Sequence, residues 1–423
     1  MVSAWYLLTD TNPYDGQATT TMTLNDERQA QRRTFLHQRG LDERSLAPLI
    51  QDASFRRYFR LSDTDKPTLL MDAPLELEDV GQFAKIARHL TAIGLKAPEI
   101  IDFDQKYGLL LLEDFGDDTF TRLIATGTDD TSLYPLAVDV LIALHSHPDA
   151  VAIDLPLYDR HLLIQEALLL TDWYAPVIRN NTTSAEMRHS YISIWQEILD
   201  GLPEPAHSLV LRDFHVDNLM WVPPETGISG CGLLDFQDAV IGPMAYDVVS
   251  LLEDARRDIS PNLVESMIQR YHEGMPLLEI ENFRTWYHVL GAQRHCKVAG
   301  IFLRLLLRDD KSHYIRHIPR VMHLLEQQLS TPILLPLRQW LDLWLPERNQ
   351  ALPDFETVEI RQLVGVDDPE SQPDSRLSSR KLLLRQFFQN GLSVGTHTLV
   401  PLYEVLQAVT LYQFYKVNFL RNS

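Results

Sequence analysis

The chain has 423 residues, which at roughly 100–200 residues per domain is the length of two or three domains. Hydrophobic residues make up 45% of it and charged residues 23%, a balance typical of globular proteins with a large core. This composition excludes a collagen-like chain, a fully disordered chain and a small disulfide-stapled protein. Asp and Glu number 58 against 38 Lys and Arg, for a net charge of −20. Such an acidic surface repels phosphate, which argues against nucleic acid or an anionic membrane as a partner.

The cysteines and the first residues indicate a compartment. Cys231 and Cys296 are too few for a disulfide framework and too far apart for a C-x-x-C metal pair, so we expect a reducing environment. No apolar run approaches the roughly 18–20 residues of a membrane span. Residues 1–21 have neither the basic segment nor the cleavage site of a signal peptide. We therefore expect a cytoplasmic protein in which residues 1–21 form a disordered extension or arise from an upstream start codon.

Residues 22–115 predict a small α+β lobe. Helix formers fill residues 25–40, which end in glycine. A second helix is predicted by the apolar spacing of Phe83, Ile86 and Leu90. Short apolar runs on both sides of it predict strands, and the last two strands form a hairpin. After the first helix, these elements are expected at 55–61, Thr68–Asp72, 80–93, 99–103 and Leu109–Glu113.

Residues 116–346 are mostly helical by their apolar spacing, except for one compact block at 209–242. That block contains two strand candidates, 218–222 and 232–236, which are separated by a Pro-Pro turn. Because loops held on a rigid scaffold commonly carry function, we expect the site in this block. The helices are expected at 133–147, 160–174, 185–202, 245–257, 262–272, 280–307 and 314–329.

Residues 347–423 differ in character from the lobe before them. Residues 347–376 are rich in Pro, Asp, Glu and Ser and are typical of a linker. Residues 377–423 carry apolar runs that belong to no predicted element of the preceding lobe. We expect a linker and a tail of unknown role, and we expect a chain ended after about residue 350 to keep its activity.

A spacing typical of phosphoryl transfer lies within the compact block. Asp213 and Asn218 have the D-x4-N spacing of a kinase catalytic loop, and Asp235 follows a short apolar run 17 residues after Asn218. Phosphoryl transfer needs a carboxylate that aligns the acceptor hydroxyl and oxygen ligands that hold magnesium against the phosphates. A capping aspartate and a turn asparagine also give D-x4-N, but the order of strand, D-x4-N, hairpin and second aspartate is much rarer. We assign Asp213 as the base and Asn218 and Asp235 as metal ligands.

Further stretches around this block form a recognisable set. They are DASFRRYFR at 52–60, MDAP at 71–74, LLEDFG at 111–116, LRDFHVDN at 211–218, LDFQDA at 234–239, GPMAYD at 242–247, and QRH at 293–295 with GIFLRL at 300–305. Together they resemble the aminoglycoside phosphotransferase and choline kinase family, which has a protein-kinase-like fold. Within it, they are most similar to the bacterial kinases that phosphorylate N-acetylmuramate and N-acetylglucosamine at C1 in cell-wall recycling. The resemblance covers about residues 22–346.

The resemblance implies a site for ATP and Mg²⁺. The stretch from Ser54 to Tyr58 is similar to the loop that covers the phosphates, although it lacks that loop's glycines. Residues 113–115 are similar to the hinge whose backbone binds adenine, and Asp247 is similar to an aspartate that braces the catalytic loop. The residues implied to bind ATP are Ser54, Arg57, Tyr58, Arg60, Glu113 and Phe115.

Two departures from the family pattern concern single positions. Leu211 stands where many relatives have a histidine, which is usually architectural. The third strand, Leu69 to Asp72, lacks the lysine that kinases use to pair the phosphates, and the N-acetyl sugar kinases are similar in lacking it. Either Arg57, Arg60 or Lys66 replaces this lysine, or phosphate binding is weak. The candidates for its glutamate partner are Glu76 and Glu78.

We therefore predict a two-lobed, protein-kinase-like α+β fold, with a small antiparallel-sheet N-lobe at 22–115 and a mostly helical C-lobe at 116–346. The predicted function is transfer of the γ-phosphate of ATP to a sugar hydroxyl, that of N-acetylmuramate or N-acetylglucosamine at the anomeric carbon, by a monomer without nucleic-acid or membrane partners. Two alternatives remain open. One is another acceptor, such as an aminoglycoside or a choline-like or amino alcohol. The other is a nucleotide-binding pseudokinase, which the missing lysine favours and the intact Asp213, Asn218 and Asp235 oppose.

Overall fold

The structure is a computed structural model, and five segments of the chain are described. The extension at 1–21, the candidates Ser54 and Glu76, and residues 366–423 lie outside the described residues. The described segments are 24–49, 56–62, 64–75, 78–353 and 357–365.

Five short strands form one antiparallel sheet. They are β1 Leu46–Pro48, β2 Arg57–Leu61, β3 Thr68–Asp72, β4 Ile100–Asp104 and β5 Leu109–Glu113. Their order across the sheet is β1-β2-β3-β5-β4, and every neighbouring pair is antiparallel. The predicted hairpin is confirmed as the pair β4–β5. Strand β1 was not predicted, because three residues that end in proline are too short to show an alternating pattern.

The two faces of the sheet pack against different helices. Successive side chains of a strand point to opposite faces, so Phe59 packs in the cluster under α1, Leu24–His37, while Tyr58 faces the main core. Helix α2, Val80–Ala92, packs in that main core and begins at Asp79, whose side chain accepts two backbone N–H hydrogen bonds. The alternation of β2 therefore decides which of its arginines face the rest of the molecule.

The second lobe is helical, as predicted. Its helices are α3 Phe120–Ala125, α4 Asp130–Ser146, α5 Arg160–Ala167, α6 Ala175–Arg179, α7 Ala185–Asp200, α8 Ala245–Leu252, α9 Pro261–Gly274, α10 Ile280–Asp309, α11 Ile318–Gln328 and α12 Leu335–Trp344. Helix α8 ends earlier than expected, because the side chain of Asp254 accepts the N–H of Arg256 and forms a turn instead. None of the described helices has the length and apolar composition needed to cross a membrane.

Helix α10, with 30 residues, runs through the core of this lobe. A Cβ atom at Gly300 would lie 2.1 Å from the carbonyl oxygen of Leu169. A glycine is therefore required where α10 crosses the π-helical segment Leu170–Tyr174 that follows α5. This close approach sets the distance between α10 and the chain at Leu169.

Two strand pairs frame the compact block between α7 and α8. Strand β6, His207–Val210, pairs with β9, Val240–Pro243, and strand β7, Leu219–Trp221, pairs with β8, Cys231–Leu233. The β7–β8 hairpin confirms the two strand candidates of the sequence. The β6–β9 pair was not predicted, because its strands are separated by the whole site block and only the folded chain brings them together.

Packing continues past the boundary expected at residue 346. Arg348 is buried, and its carbonyl oxygen accepts the hydroxyl of Tyr174 at 2.7 Å. Helix α13, Thr357–Leu363, contains the buried Arg361, whose Nε donates to the carbonyl oxygen of Leu307 at 2.6 Å. The first compact unit of the chain extends to residue 366. A chain ended after residue 350 would lose the contacts of α13, so we now place the boundary near residue 366.

Candidate active site

The predicted catalytic loop follows β6 and is held by a buried carboxylate. Asp247 in α8 accepts hydrogen bonds from the backbone N–H groups of Leu211 at 2.6 Å and Arg212 at 2.8 Å. Burial raises the pKa of Asp247 to about 7, although these two hydrogen bonds act to lower it. Arg212 has a φ of +71°, a conformation that persists only where its surroundings enforce it. Asp247 therefore braces the loop as expected from the sequence. Because Asp247 binds backbone N–H groups, Leu211 can take part through its N–H although its side chain is apolar.

Asp213 lies where α10 approaches the loop. Burial alone would raise the pKa of Asp213, but the charges of Lys297 and Arg294 hold it below its usual value. Both cations are buried, so water screens their charges little. Arg294 Nη1 also lies 3.4 Å from the carbonyl oxygen of Arg212. Asp213 is therefore ionised at neutral pH and can accept a hydrogen bond from a substrate hydroxyl.

Asn218 and Asp235 meet at one end of the β7–β8 hairpin. The backbone N–H of Leu234 donates to the carbonyl oxygen of Asn218 at 3.0 Å. The amide nitrogen of Asn218 donates to the carbonyl oxygen of Asp213 at 2.9 Å, so the amide oxygen remains as the group able to bind a cation. Asp235 has a φ of +58° and a side chain that is 38% exposed. One amide oxygen, one accessible carboxylate and the phosphates of a nucleotide form a ligand set that suits Mg²⁺.

Arg56, immediately before β2, contacts residues on both sides of the site. Its Nη2 donates to Asp235 Oδ1 at 2.6 Å and its Nη1 donates to Gln237 Oε1 at 2.5 Å. Its Nε lies 3.8 Å from Glu78 Oε2. Protein kinases use a third-strand lysine that pairs with a helix glutamate. Here an arginine ahead of the second strand joins Asp235 to Glu78.

Two of the cations proposed from the sequence lie away from Asp235. Arg57 pairs in the register with Asp72, and alternation places it on the face of the sheet that carries α1. The side chain of Lys66 is 80% exposed, with its nearest carboxylate oxygen 3.9 Å away. Neither residue is placed to replace the missing lysine.

Tyr58 and Arg60 share the face of β2 that carries Arg56. Arg60 lies four residues along the strand from Arg56, about 13 Å at roughly 3.3 Å per residue. Its guanidinium binds Asp114 and Asp117, just after β5. Burial raises the pKa of Tyr58, so its hydroxyl keeps its proton. This face of β2 runs from Asp235 at one end to the expected hinge at the other.

The expected hinge connects the sheet to the β7–β8 hairpin. The carboxylate of Glu113 binds Lys96 Nζ at 2.6 Å, and the ring of Phe115 lies 5.2 Å from the same nitrogen. A Cβ atom at Gly232 would lie 2.7 Å from the Phe115 ring, so a glycine is required where the ring crosses the hairpin. The N–H groups of Glu113 and Asp114 each donate to a carbonyl oxygen at 3.0 Å. Phe115 has the first hinge N–H that lacks a partner among the described residues.

A buried network behind the loop was not predicted. Glu166 in α5 accepts hydrogen bonds from Lys297 Nζ at 3.0 Å, from the Tyr158 hydroxyl and from the Arg212 guanidinium. Burial would raise the pKa of Glu166, but the charges of Lys297 and Arg212 lower it. Lys297 follows Arg294 by three residues, which places both on one face of α10. The spacing is visible in the sequence, but only the fold shows that this face turns toward Asp213.

Comparison with known proteins identifies the family. Residues 45–280 match the phosphotransferase enzyme family. The chain belongs to this family. Membership makes it a kinase that acts on a hydroxyl acceptor, with ATP as the phosphoryl donor.

Two relatives and one solved structure illustrate the match. The chain is 34% identical over 359 residues to the N-acetylmuramate/N-acetylglucosamine kinase of Caulobacter vibrioides, across 77% of this chain and 99% of that protein. It is 37% identical over 295 residues to the kinase of the same name from Pseudomonas aeruginosa, across 67% of this chain and 84% of that protein. A choline/ethanolamine kinase family protein from Mesorhizobium loti superposes with a TM-score of 0.52 at 13% identity, covering 75% of this chain and 99% of that one. The predicted protein-kinase-like α+β fold is confirmed.

Proposed function

We propose that this protein transfers the γ-phosphate of ATP to the anomeric hydroxyl of N-acetylmuramate or N-acetylglucosamine, within peptidoglycan recycling. The observation that carries the proposal is the braced loop, which holds Asp213 next to Asn218 and links both to Asp235 through the hairpin. The names of the two bacterial relatives support the choice of acceptor.

The proposed reaction assigns one task to each polar group. Asp213 accepts a hydrogen bond from the anomeric hydroxyl and takes its proton as the sugar oxygen bonds to the γ-phosphorus. The bond from that phosphorus to the bridging oxygen breaks, and ADP leaves. Lys297 and Arg294 hold Asp213 in its ionised form before that transfer. Asn218 and Asp235 would hold Mg²⁺, which when bound neutralises charge on the phosphates.

The nucleotide would lie between the sheet and the β7–β8 hairpin. Arg56 faces the phosphates beside Asp235, and the N–H of Phe115 is the donor available to adenine. Arg57 leaves this set because it lies on the other face of β2. The proposed nucleotide-binding residues are Ser54, Arg56, Tyr58, Arg60, Glu113 and Phe115.

The charges around Asp213 narrow the class of acceptor. Buried Lys297 and Arg294 approach it from α10 and offset its negative charge, which weakens the attraction of Asp213 for a cationic acceptor such as an aminoglycoside or choline. A neutral or anionic sugar does not depend on that attraction. A pseudokinase is disfavoured because Asp213, Asn218 and Asp235, which the chemistry needs, are all present and are held close together by the loop and the hairpin.

The proposal includes an organisation and a location for the enzyme. The nucleotide-binding lobe at 22–115 and the helical lobe from 116 to about 366, which carries the catalytic loop and acceptor site, would close around ATP. We propose that the enzyme acts as a monomer in the cytoplasm, where ATP is available and the two cysteines stay reduced.

The test is an ADP-release assay with Mg²⁺ and ATP over a panel of acceptors. The panel contains N-acetylmuramate, N-acetylglucosamine, glucose, choline, homoserine and kanamycin, and the Asp213→Asn variant serves as the blank. We expect release with the two N-acetyl sugars and an acid-labile product, as a phosphate at the anomeric carbon requires. Release with another acceptor alone would replace the proposed substrate. ATP binding without release for any acceptor would favour the pseudokinase.

A further inference from the structure

An exposed arginine, Arg256, stands beside the catalytic loop in the turn that follows α8. Its Nη1 lies 3.4 Å from Nε2 of His215 and 3.6 Å from a carboxylate oxygen of Asp217. Both neighbours belong to the stretch between Asp213 and Asn218, so the guanidinium borders the groups that handle the acceptor. The Arg256 side chain is 32% exposed, which keeps it accessible to a ligand.

The guanidinium of Arg256 has unused hydrogen-bonding capacity. Among the described residues its polar contacts run through Nη1, and the separation from Asp217 exceeds the length of a hydrogen bond. Asp217 itself accepts the hydroxyl of Thr121. A guanidinium carries five N–H donors in a planar fork that matches a carboxylate. Its Nε and Nη2 edge can therefore receive a carboxylate in bidentate fashion.

The turn that carries Arg256 is fixed by buried polar contacts. Asp254 is 2% exposed, its Oδ1 accepts the N–H of Arg256 at 2.8 Å, and its carbonyl oxygen accepts Arg320 Nε at 2.8 Å. The second carboxylate oxygen, Oδ2, is buried and has no hydrogen-bond partner in the described part of the chain. A buried unpaired oxygen is rare in native proteins. The bonded groups of Asp254 hold the backbone that carries the Arg256 side chain.

Charges of both signs surround this turn. Arg256 and Arg257 stand beside Glu253, Asp254 and Asp258 in the sequence. The carboxylate of Asp258 pairs with Arg320, and that of Asp217 accepts the hydroxyl of Thr121. The attraction of an anionic substituent on the acceptor would therefore come from the guanidinium of Arg256 itself and not from a general excess of positive charge.

The two proposed acceptors differ by such a substituent. N-acetylmuramate carries a lactyl ether with a carboxylate on the oxygen where N-acetylglucosamine has a free hydroxyl. We propose that Arg256 binds this carboxylate and makes the enzyme favour N-acetylmuramate over N-acetylglucosamine. This inference rests on the proposed function. It adds a specificity residue to that site, distinct from the residues that transfer the phosphate.

The experiment compares steady-state kinetics of the full chain with both sugars. Arg256→Gln should lower kcat/KM for N-acetylmuramate roughly 10- to 100-fold, mainly through KM, as expected for loss of a charge-assisted contact. The effect on N-acetylglucosamine should be much smaller, so the ratio of the two kcat/KM values should fall. Arg256→Lys, which keeps the charge but not the fork, should recover part of the ratio.

The matched control is Arg257→Gln, which removes the same charge one residue away. Arg257 lies 3.5 Å from Asp130 of α4, so the ratio of the two sugars should stay close to the wild-type value. If Arg256→Gln lowered kcat/KM equally for both sugars, Arg256 would support the loop. If kcat/KM changed for neither sugar, Arg256 would not bind the carboxylate. Either result overturns the inference while the proposed function stands. A wild-type enzyme that uses neither sugar would refute both.

Discussion

The two aspartates of the site are held by different parts of the molecule. Asp235 contacts one arginine, Arg56, which comes from the sheet, and its side chain remains 38% exposed. Asp213 lies near Arg294 and Lys297, which come from α10, and their charges hold its pKa below the usual value. A carboxylate that binds a cation must stay accessible, whereas one that aligns a hydroxyl must already be ionised. The surroundings of the two aspartates match these two tasks.

This difference shows that the site receives its positive charge from two independent sources. In the proposed complex, Arg56 would lie beside the nucleotide, while the cations of α10 would act on the acceptor side. Changes on the sheet side should therefore affect ATP kinetics, and changes on α10 should affect the dependence of turnover on pH. The predictions below test this separation.

The largest effect is expected from Asp213→Asn. Turnover should fall roughly 10²- to 10⁴-fold, the usual contribution of a general base, because an amide cannot take the proton. Binding of ATP, measured by calorimetry, should remain close to the wild-type value. The same substitution at Asp139, which pairs with Arg270 on the surface, is the matched control and should leave turnover unchanged. Near-normal turnover in Asp213→Asn would refute the assignment.

A smaller loss is expected on the sheet side, where Arg56 and Arg57 are adjacent but face opposite ways. Arg56→Gln should lower kcat/KM for ATP roughly 10- to 100-fold, because a charge beside Asp235 and the phosphates is lost. Arg57→Gln removes the same charge from the other face and should stay close to wild type. If both variants lost ATP affinity equally, the assignment of faces in β2 would be wrong for the nucleotide-bound enzyme.

The residues that could be predicted from the sequence are those whose chemistry lies within one short stretch. Asp213, Asn218 and Asp235 follow from spacing and from the order of strand, loop and hairpin. Arg56 was not singled out, although the pattern of β2 contained the signal. Phe59 is apolar and is expected on a buried face of the strand. Because side chains alternate between the two faces, Arg57 lies on the same face as Phe59 and Arg56 on the opposite one. The apolar residues of a strand thus predict which side chains share a face, once the helices that cover each face are known.

Other features depend on contacts between distant parts of the chain. The pair β6–β9 closes the site block, and the cations of α10 reach Asp213 only through the packing of helices. Helix α10 has 30 residues, and polar and apolar residues are mixed along it. Its sequence therefore does not indicate which side of the helix meets the catalytic loop. The segment up to residue 365 was missed for the same reason, since α13 is short and is held by the rest of the lobe.

The acceptor side can be tested through the dependence of turnover on pH. Lys297 lowers the pKa of Asp213, so Lys297→Met should raise that pKa and move the acidic limb of kcat/KM to higher pH. Activity should therefore fall more at low pH than at high pH. Lys85→Met, at an exposed position of α2, is the control and should leave the limb in place. An unshifted limb in a folded Lys297→Met enzyme would contradict the role of α10.

The smallest effect on turnover is expected from Gly300→Ala, which alters where α10 lies. The added Cβ would be 2.1 Å from the carbonyl oxygen of Leu169, so the helix must shift, at a cost of about 1–3 kcal/mol in the free energy of unfolding. Gly201→Ala is the matched control, because its Cβ would meet only carbonyl oxygens at 3.5 Å. A shift of α10 moves Lys297 and Arg294 relative to Asp213, so the acidic limb should move in the same direction as in Lys297→Met, but less. ATP kinetics should change little, since Arg56 comes from the sheet. A variant that lost ATP affinity without a pH shift would show that the two sources of charge are not independent.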